Sequence, residues 1–502
     1  MNSAAGLIRP EHLAMSAEQW AALGPLFWVF GGVISGMLLA VVRGLPTKWM
    51  VAGASMLALV GAGRSGLGLL GADGSVRIEL FNRMMVVDGF TLFFGLVFVA
   101  AALVTIGVSV RYLDHEKLQY PEYYVLVMLA TFGMIVMTSA QELIVLFLGL
   151  EILSLAVYVL VGFRRADRRG NEASIKYFIL GGVASAIYLY GAALLYGTAQ
   201  SLHLADIASY AARVRFADAP LFVVGAWLVV VGFMFKVAAA PFHMWMPDVY
   251  EGAPVTVTGF MTTGLKAAAF AAFARVFVAF GKPFASLEQV HDLIWWSAVA
   301  TMVIGNFVAL TQSSLKRMLA YSSIAHTGYL MIGFLVSGGE GAGFAPVVLY
   351  LVSYVAMNLG VFAILSSMAG RDDLGLSLHD LAGMGERRPL LSAAMAVFMF
   401  SMAGIPPTAG FVAKYWLFSQ AVGAGEVPLV IIAVLCSAVS VYYYLRVLVY
   451  MYMREPVGAA PGTRVSGWVT ASVACLLVLT IQVGVAPGRL MEAAKRAVSR
   501  LT

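Results

Sequence analysis

One glutamate and three lysines stand where charge is costly. Glu151 lies within LIVLFLGLEILSLAVYVLVGF, Lys266 within TVTGFMTTGLKAAAFAAFARVF, and Lys236 within FKVAAAPFHMWMPDVYEGAP. Lys414 ends the word GIPPTAGFVAK, beyond Pro406 and Pro407. A charge near the middle of an apolar membrane run costs several kcal/mol, so it is rarely there without a use. Burial disfavours an ammonium, and a nearby carboxylate favours it. At about 7 Å and an effective dielectric near 20, a Glu–Lys attraction is of order 2 kcal/mol. A second charge moving toward or away from such a pair can therefore load or release a proton. The chemistry these four residues suggest is proton translocation through the membrane. The blander readings are a Glu151 carboxyl satisfied by Ser154 and a Lys236 that snorkels to a nearby interface; Lys266 is hard to explain in that way.

A second tier of polar residues accompanies them. His243 comes after Lys236 with Pro241 between, and an imidazole satisfied by broken backbone is the alternative to a proton carrier. Glu172 and Lys176 are spaced as a helical i,i+4 pair, which a surface ion pair would explain equally well. His326 comes after Tyr321-Ser322-Ser323 and is placed to line a water chain. Asp88, Arg64 and Arg275 read as residues near the membrane interface, and the run Arg164 to Arg169 as a solvated basic loop. The acidic residues Asp372, Asp373 and Asp380 fit either a partner interface or a solvated turn.

The elements that must hold these side chains are membrane helices. Of 502 residues, 61% are hydrophobic and 12% charged, against roughly 25% charged in soluble proteins. Mean hydropathy is +0.88. The sequence predicts an all-α polytopic membrane protein with about fourteen spans, including a seventh near 220–240, an eighth near 255–280 and a long twelfth run at 391–423. Pro241 breaks the seventh span and Pro406-Pro407 the twelfth, since proline removes a helix hydrogen bond. Two proline-interrupted segments in corresponding halves point to a transporter built on repeats. Their separation leaves room for five spans per repeat, and an odd number makes the repeats inverted. The predicted organisation is helices 1–3 over residues 1–120, a first repeat over 121–285, a second over 286–455, and a last helix with its tail over 456–502.

Lys48, Lys117, Lys316, Arg43, Arg111, Arg164 to Arg169, Arg317, Arg387, Arg388 and Arg454 fall on one set of loops, which the positive-inside rule makes cytoplasmic, with both termini outside. The basic tail with Lys495, Arg496 and Arg500 opposes that rule. The net charge of +6 belongs to membrane orientation and not to nucleic-acid binding. Gly66 to Gly71 fits GxGxxG, but no strand precedes it, so nucleotide binding is rejected. Gly32 and Gly36 suggest close helix packing. Cys436 and Cys475 form no metal or redox motif and read as small core residues. The first twenty residues lack a basic segment followed by an apolar core and do not read as a signal peptide.

The words FKVAAAPFH at 235–243, WMPDVYEGAP at 245–254, GIPPTAGF at 404–411 and EASIKYF at 172–178 resemble the antiporter-like membrane subunits of respiratory complex I, the proton-pumping NADH:quinone oxidoreductase. The likeness runs from about residue 80 to 455. It implies fourteen helices in two inverted five-helix repeats, with Glu151, Lys236, Lys266 and Lys414 as the central proton path and Lys176 and His243 as further polar positions along it. It implies no redox centre in this chain. NADH, FMN, iron–sulfur clusters and quinone would be handled by partner subunits, with other complex I subunits and membrane lipids as neighbours in a bacterial inner membrane. An Mrp-type Na⁺/H⁺ antiporter shares the Glu–Lys pair and the broken helices. A structural subunit without its own proton path is the other alternative.

Overall fold

The computed structural model describes residues 15–42, 46–70, 76–373, 376–456, 465–499 and 501. Arg43, Gly71, Arg500 and residues 1–14 lie outside them. Among the described residues, thirteen helices are long and apolar enough to cross a membrane. In chain order α1 is Gly24–Val41 and α2 Thr47–Leu70; a hairpin of β1, Arg77–Leu80, and β2, Met85–Asp88, leads into α3, Gly89–His115. Then come α4, Glu122–Ser139, α5, Leu143–Val161, and α6, Arg168–Ala199. The seventh span is α7, Pro220–Val237, continued after a break by the short α8, Trp245–Gly252. The eighth is α9, Val255–Ala285. Next come α10, Glu288–Ala309, α11, Leu315–Ser337, and α12, Ala345–Met368. The twelfth run is two 15-residue helices, α13, Pro389–Ala403, and α14, Ala409–Gly423. Last are α15, Val427–Met453, α16, Gly467–Val485, and a short terminal helix α17, Gly488–Val498. With the broken pair counted once, fourteen spans result, as the hydropathy predicts. The antiparallel hairpin, pairing Arg77 with Asp88 and Leu80 with Met85, is the feature that an all-helical expectation does not contain.

Burial sorts the helices. Of the most apolar stretches of α9 and α12, 94% is buried inside the chain, against 28% for α1 and α16. Lys266 therefore sits on one of the two most buried spans. Small residues let the helices close. A methyl group on Gly133 would lie 2.6 Å from the Leu153 nitrogen and 2.8 Å from the Gly149 oxygen, so α4 and α5 touch backbone to backbone. Gly32 and Gly36 let side chains pack onto the α1 backbone, those of Ala58 of α2 and Val125 of α4. Cys436 is buried, but Cys475 faces outward, contrary to its reading as core.

The helix termini explain the ends of the bundle. Asp88 caps α3 by accepting from the Thr91 amide at 2.8 Å, and Asp167 caps α6 through the Arg169 amide. Lys48 meets Asp114, and Arg164 meets Glu116, so the cations expected on one side do gather at one end. The hairpin marks the other end, where Gln19 donates to the Glu79 carbonyl and Gly341 lies against Val498 and Leu501. Both described termini thus share the hairpin end.

Burial adds to three readings of charge. Asp88 and Arg275 meet at the hairpin end but do not face solvent: each side chain is 1% exposed, and the guanidinium donates to both carboxylate oxygens at 3.0 Å. Arg164 is buried and not solvated, and Asp373 is buried with it. Asp380 remains at the surface, accepting from the Ser377 amide and hydroxyl.

Candidate functional site

The break after α7 leaves backbone groups that water cannot reach, and neighbouring hydroxyls take them. Ala238 adopts a left-handed conformation at the end of the helix. Thr327 of α11 donates to the Val237 carbonyl at 2.8 Å, Ser297 of α10 donates to the Ala240 carbonyl at 2.6 Å, and Thr301 accepts from the Ala240 amide at 2.8 Å. Irregular backbone survives in a bilayer only when buried and satisfied in this way. Lys236 occupies the last turn of α7, where the helix dipole favours a cation. Its ammonium donates to Ser154 of α5 at 3.1 Å. Glu151, one turn earlier on α5, instead accepts from Ser185 of α6 at 2.5 Å. Ser154 thus serves Lys236 and not Glu151. The glutamate and lysine face the same hydroxyl-lined seam without a direct ion pair.

The second break has the same logic. Gly404 ends α13 at φ +87°, a conformation that favours glycine. Ser401 accepts from the Gly410 amide at 3.0 Å across the gap. Lys414 reaches back from α14 to the buried carbonyl end of α13, donating to the Met402 carbonyl at 3.1 Å and that of Ala403 at 3.2 Å, and to the Ser437 hydroxyl of α15 at 2.8 Å. Pro241, Pro406 and Pro407 are themselves exposed on the surface of the chain, so the breaks open outward while the lysines turn inward.

Lys266 lies between the two breaks, immediately after a π turn at Met261–Leu265. Such a turn inserts a residue into the helix and rotates the side chains beyond it, often at functional sites. The Lys266 ammonium donates to the Ser323 carbonyl at 2.6 Å and to its hydroxyl, which also accepts from Tyr354 at 2.8 Å. One turn along α11, His326 is hydrogen-bonded through Nδ1 to Tyr350 at 2.8 Å and through Nε2 to Tyr444 at 3.2 Å; Tyr444 in turn meets Ser322. Beyond it Asn306 donates to the Tyr329 hydroxyl, and Tyr329 presents its ring 5.1 Å from the Lys414 ammonium. Hydroxyls and one imidazole therefore occupy the space from Lys266 to Lys414. Among the described residues neither lysine has a carboxylate partner, and both are buried. An uncompensated ammonium is costly there, while its neutral amine keeps its hydrogen bonds.

The other predicted residues lie apart. Glu172 and Lys176 are exposed, paired at 2.7 Å, and joined to Asp248 at 3.1 Å. Arg317 continues this network to Asp248 and Glu251 and, with Lys176, lines an open cavity of about 360 Å³ at the basic end. His243 is half-buried in the first break, and its Nδ1 has no hydrogen-bond partner. Sequence reasoning missed Tyr350, Tyr354 and Tyr444, and it named Ser323 only as a neighbour of His326 and not as the partner of Lys266. The signal was present: Tyr350 and Tyr354 share a helical face, and Ser322, Ser323, His326 and Thr327 mark one polar side of an otherwise apolar helix.

A polytopic bundle with two broken helices around a line of buried lysines is the architecture of an ion-translocating membrane protein. Comparison with known proteins is more specific. Residues 140–440 match the family described as NADH:quinone oxidoreductase/Mrp antiporter, transmembrane, and the chain belongs to that family. It is 44% identical to NADH-quinone oxidoreductase subunit N of Trichlorobacter lovleyi over 90% of this chain and 91% of that one. A chain of respiratory complex I from Thermus thermophilus superposes with a TM-score of 0.79 at 35% identity, covering 93% of this chain and 98% of its own. A chain of the Mrp complex from Dietzia sp. shares the fold, with a TM-score of 0.81 at 22% identity over 96% of this chain and 97% of that one.

Proposed function

We propose that this chain fills the place of subunit N in NADH:quinone oxidoreductase and carries protons across a bacterial inner membrane through Glu151, Lys236, Lys266 and Lys414. The observation that carries this reading is the set of hydroxyls and one imidazole, at Ser323, Tyr354, His326, Tyr444 and Ser437, between Lys266 and Lys414 inside helices that are otherwise apolar. Each lysine holds its ammonium against a hydroxyl, joined by the Ser323 carbonyl at Lys266 and by the helix-end carbonyls of Met402 and Ala403 at Lys414, and these oxygens accept a hydrogen bond from either protonation state. A proton can then move along the line as charge shifts at Glu151. Lys176, Glu172 and His243 join the path at its basic end and at the first break, and His326 sits in its centre. Residues 121–285 and 286–455 act as two inverted repeats, each contributing one broken helix.

Moving one charge against the membrane field costs about 2.3 kcal/mol per 100 mV, so the work comes from quinone reduction in partner subunits, which hold the NADH site, FMN, iron–sulfur clusters and quinone. The test is Lys236→Ala in the assembled complex, with NADH-driven pumping in vesicles, a native gel and a sodium control. Normal assembly with lost pumping is expected. Full pumping would favour a structural subunit, and transport that tracks sodium and ignores quinone would favour an antiporter.

A further inference from the structure

A second cluster of buried charge lies at the basic end, and the lysine line does not use it. Four elements converge there: Glu116 just past α3, Arg164 in the loop after α5, Lys316 in the first turn of α11, and Asp373 in the loop after α12. Their side chains are 1%, 6%, 4% and 6% exposed. Arg164 donates to Glu116 Oε2 at 2.8 Å and to Asp373 Oδ1 at 2.9 Å. Lys316 donates to Asp373 Oδ2 at 2.9 Å, and Tyr112 donates to Asp373 Oδ1 at 2.7 Å. Two carboxylates and two cations balance.

The two acids are not equivalent. Asp373 has cations or donors on both oxygens. Glu116 Oε2 also accepts from the Asp372 amide at 3.0 Å, but Oε1 is buried with no hydrogen-bond partner. The other titratable groups facing Glu116 are Tyr112 and His115 at the end of α3, with His115 Nδ1 3.9 Å from Oε1, and the Asp372 carboxyl, whose charge opposes ionisation of Glu116. The cluster lines a cavity of about 890 Å³ whose wall also carries Arg165, Asp167 and Arg168, room for many waters at roughly 30 Å³ each. Behind it, Ser109 of α3 is hydrogen-bonded to Tyr123 at 2.8 Å, and Tyr123 to Thr256 of α9 at 2.9 Å. Lys316 also donates to the Ala253 carbonyl, at the entrance to α9. Lys266 is borne on that same helix.

We propose that Glu116 is a further proton carrier of this subunit, loaded at Oε1 from the basic-end cavity and discharging toward α9, with Arg164, Lys316 and Asp373 as its positioning residues. This role rests on the proton path through the lysines. A proton taken from cavity water adds to Oε1 and turns the cluster from neutral to singly positive; its release inward restores neutrality. The acids are tuned for this division. Burial lifts the Glu116 carboxyl above its ordinary value, with Arg164 offsetting only part of the effect. Burial pushes Asp373 the same way, but Lys316 and Arg164 outweigh it and hold that carboxyl below its ordinary value. Neighbouring acids driven apart are the pattern of a carrier beside a fixed counter-ion.

The experiment uses the assembled complex carrying Glu116→Gln, Glu116→Asp or Lys236→Ala. Pumping is measured across pH, and the protonated-carboxyl infrared band is followed by titration. Glu116→Gln keeps the size and an acceptor for Arg164, so it should assemble. Its pumping should fall roughly a hundredfold, the low end of what a positioned acid–base group contributes, and its titrating band should vanish. Glu116→Asp should recover part of the pumping with a shifted band. Wild-type pumping and pH profile in Glu116→Gln, with Lys236→Ala inactive, would overturn the role of Glu116 alone. Unimpaired pumping in both variants would remove the proton-path reading with it. Should Glu116→Gln fail to assemble, a carboxyl band that does not move in Glu116→Asp would overturn the proposal.

Discussion

Replacing Asp88 by asparagine tests whether buried charge at the hairpin end holds the bundle together. Asparagine has the same size and retains an oxygen that can accept from the Thr91 amide at the start of α3. The helix cap is thereby preserved. What is lost is the negative charge facing Arg275, whose two terminal nitrogens each lie 3.0 Å from a carboxylate oxygen. Arg275 is 2% exposed, and its remaining contacts are the Thr91 hydroxyl at 3.1 Å and the Phe90 ring. Breaking such a buried pair by removing one partner costs about 3–5 kcal/mol, because the other charge is left uncompensated. Asp88→Ala should cost about 1 kcal/mol more through the lost cap. The double variant Asp88→Asn/Arg275→Met removes both charges and should return most of the loss, since paired replacement is often neutral. The assay is a double-mutant cycle on detergent-solubilised protein, monitored by tryptophan fluorescence on unfolding, with assembly scored on a native gel. A single variant within about 1 kcal/mol of wild type, or a double variant no better than Asp88→Asn, would refute the reasoning.

The second break and the buried acids carry further expectations. Gly404→Ala places a methyl at φ +87° and 3.1 Å from Lys414 Cδ; it should cost about 1–3 kcal/mol in backbone strain and displace the ammonium, measured as lost stability together with lost pumping. The two basic-end acids should show opposite pH dependence. Asp373 is held below its ordinary value of 3.8 in the folded state, so its contribution is present above that value and is lost as pH falls through the folded one. Asp373→Asn should therefore lose most against wild type at neutral pH and least in acid. Glu116 is raised above 4.5, so its contribution is present below that value and is lost as pH rises through the folded one. Glu116→Gln should accordingly gain on wild type as pH rises, and parallel melting curves of the two variants against pH would contradict this assignment.

Hydropathy and proline placement made the spans and both breaks legible, because a bilayer fixes helix length and punishes unsatisfied backbone. The four main charges were legible for the same reason: Lys266 is conspicuous amid alanine and phenylalanine. What one dimension hides is pairing between distant elements. The attraction between Glu151 and Lys236 can be read from their types, but not that Ser185 and Ser154 stand as their immediate partners. Asp88 and Arg275 are separated by most of the first half of the chain, and nothing local marks them as opposites. The π turn before Lys266 also has no residue signature, since Met261 to Leu265 would suit an ordinary helix. Tyrosines are ambiguous for a physical reason, being both apolar filler and hydroxyl carriers. Only packing decides which, and around His326 it turns Tyr350 and Tyr444 into hydrogen-bond partners of the imidazole. The same reasoning separates the lysines from Glu172 and Lys176. An i,i+4 spacing reports a pair, but burial reports its cost, and on α6 that pair stands exposed at the bundle's basic end. On the proposed reading the centre of the path, at Lys266 and Lys414, is marked by buried charge that lacks an ionic partner among the described residues, whereas the full pairing of Arg275 with Asp88 belongs to the frame that holds the bundle.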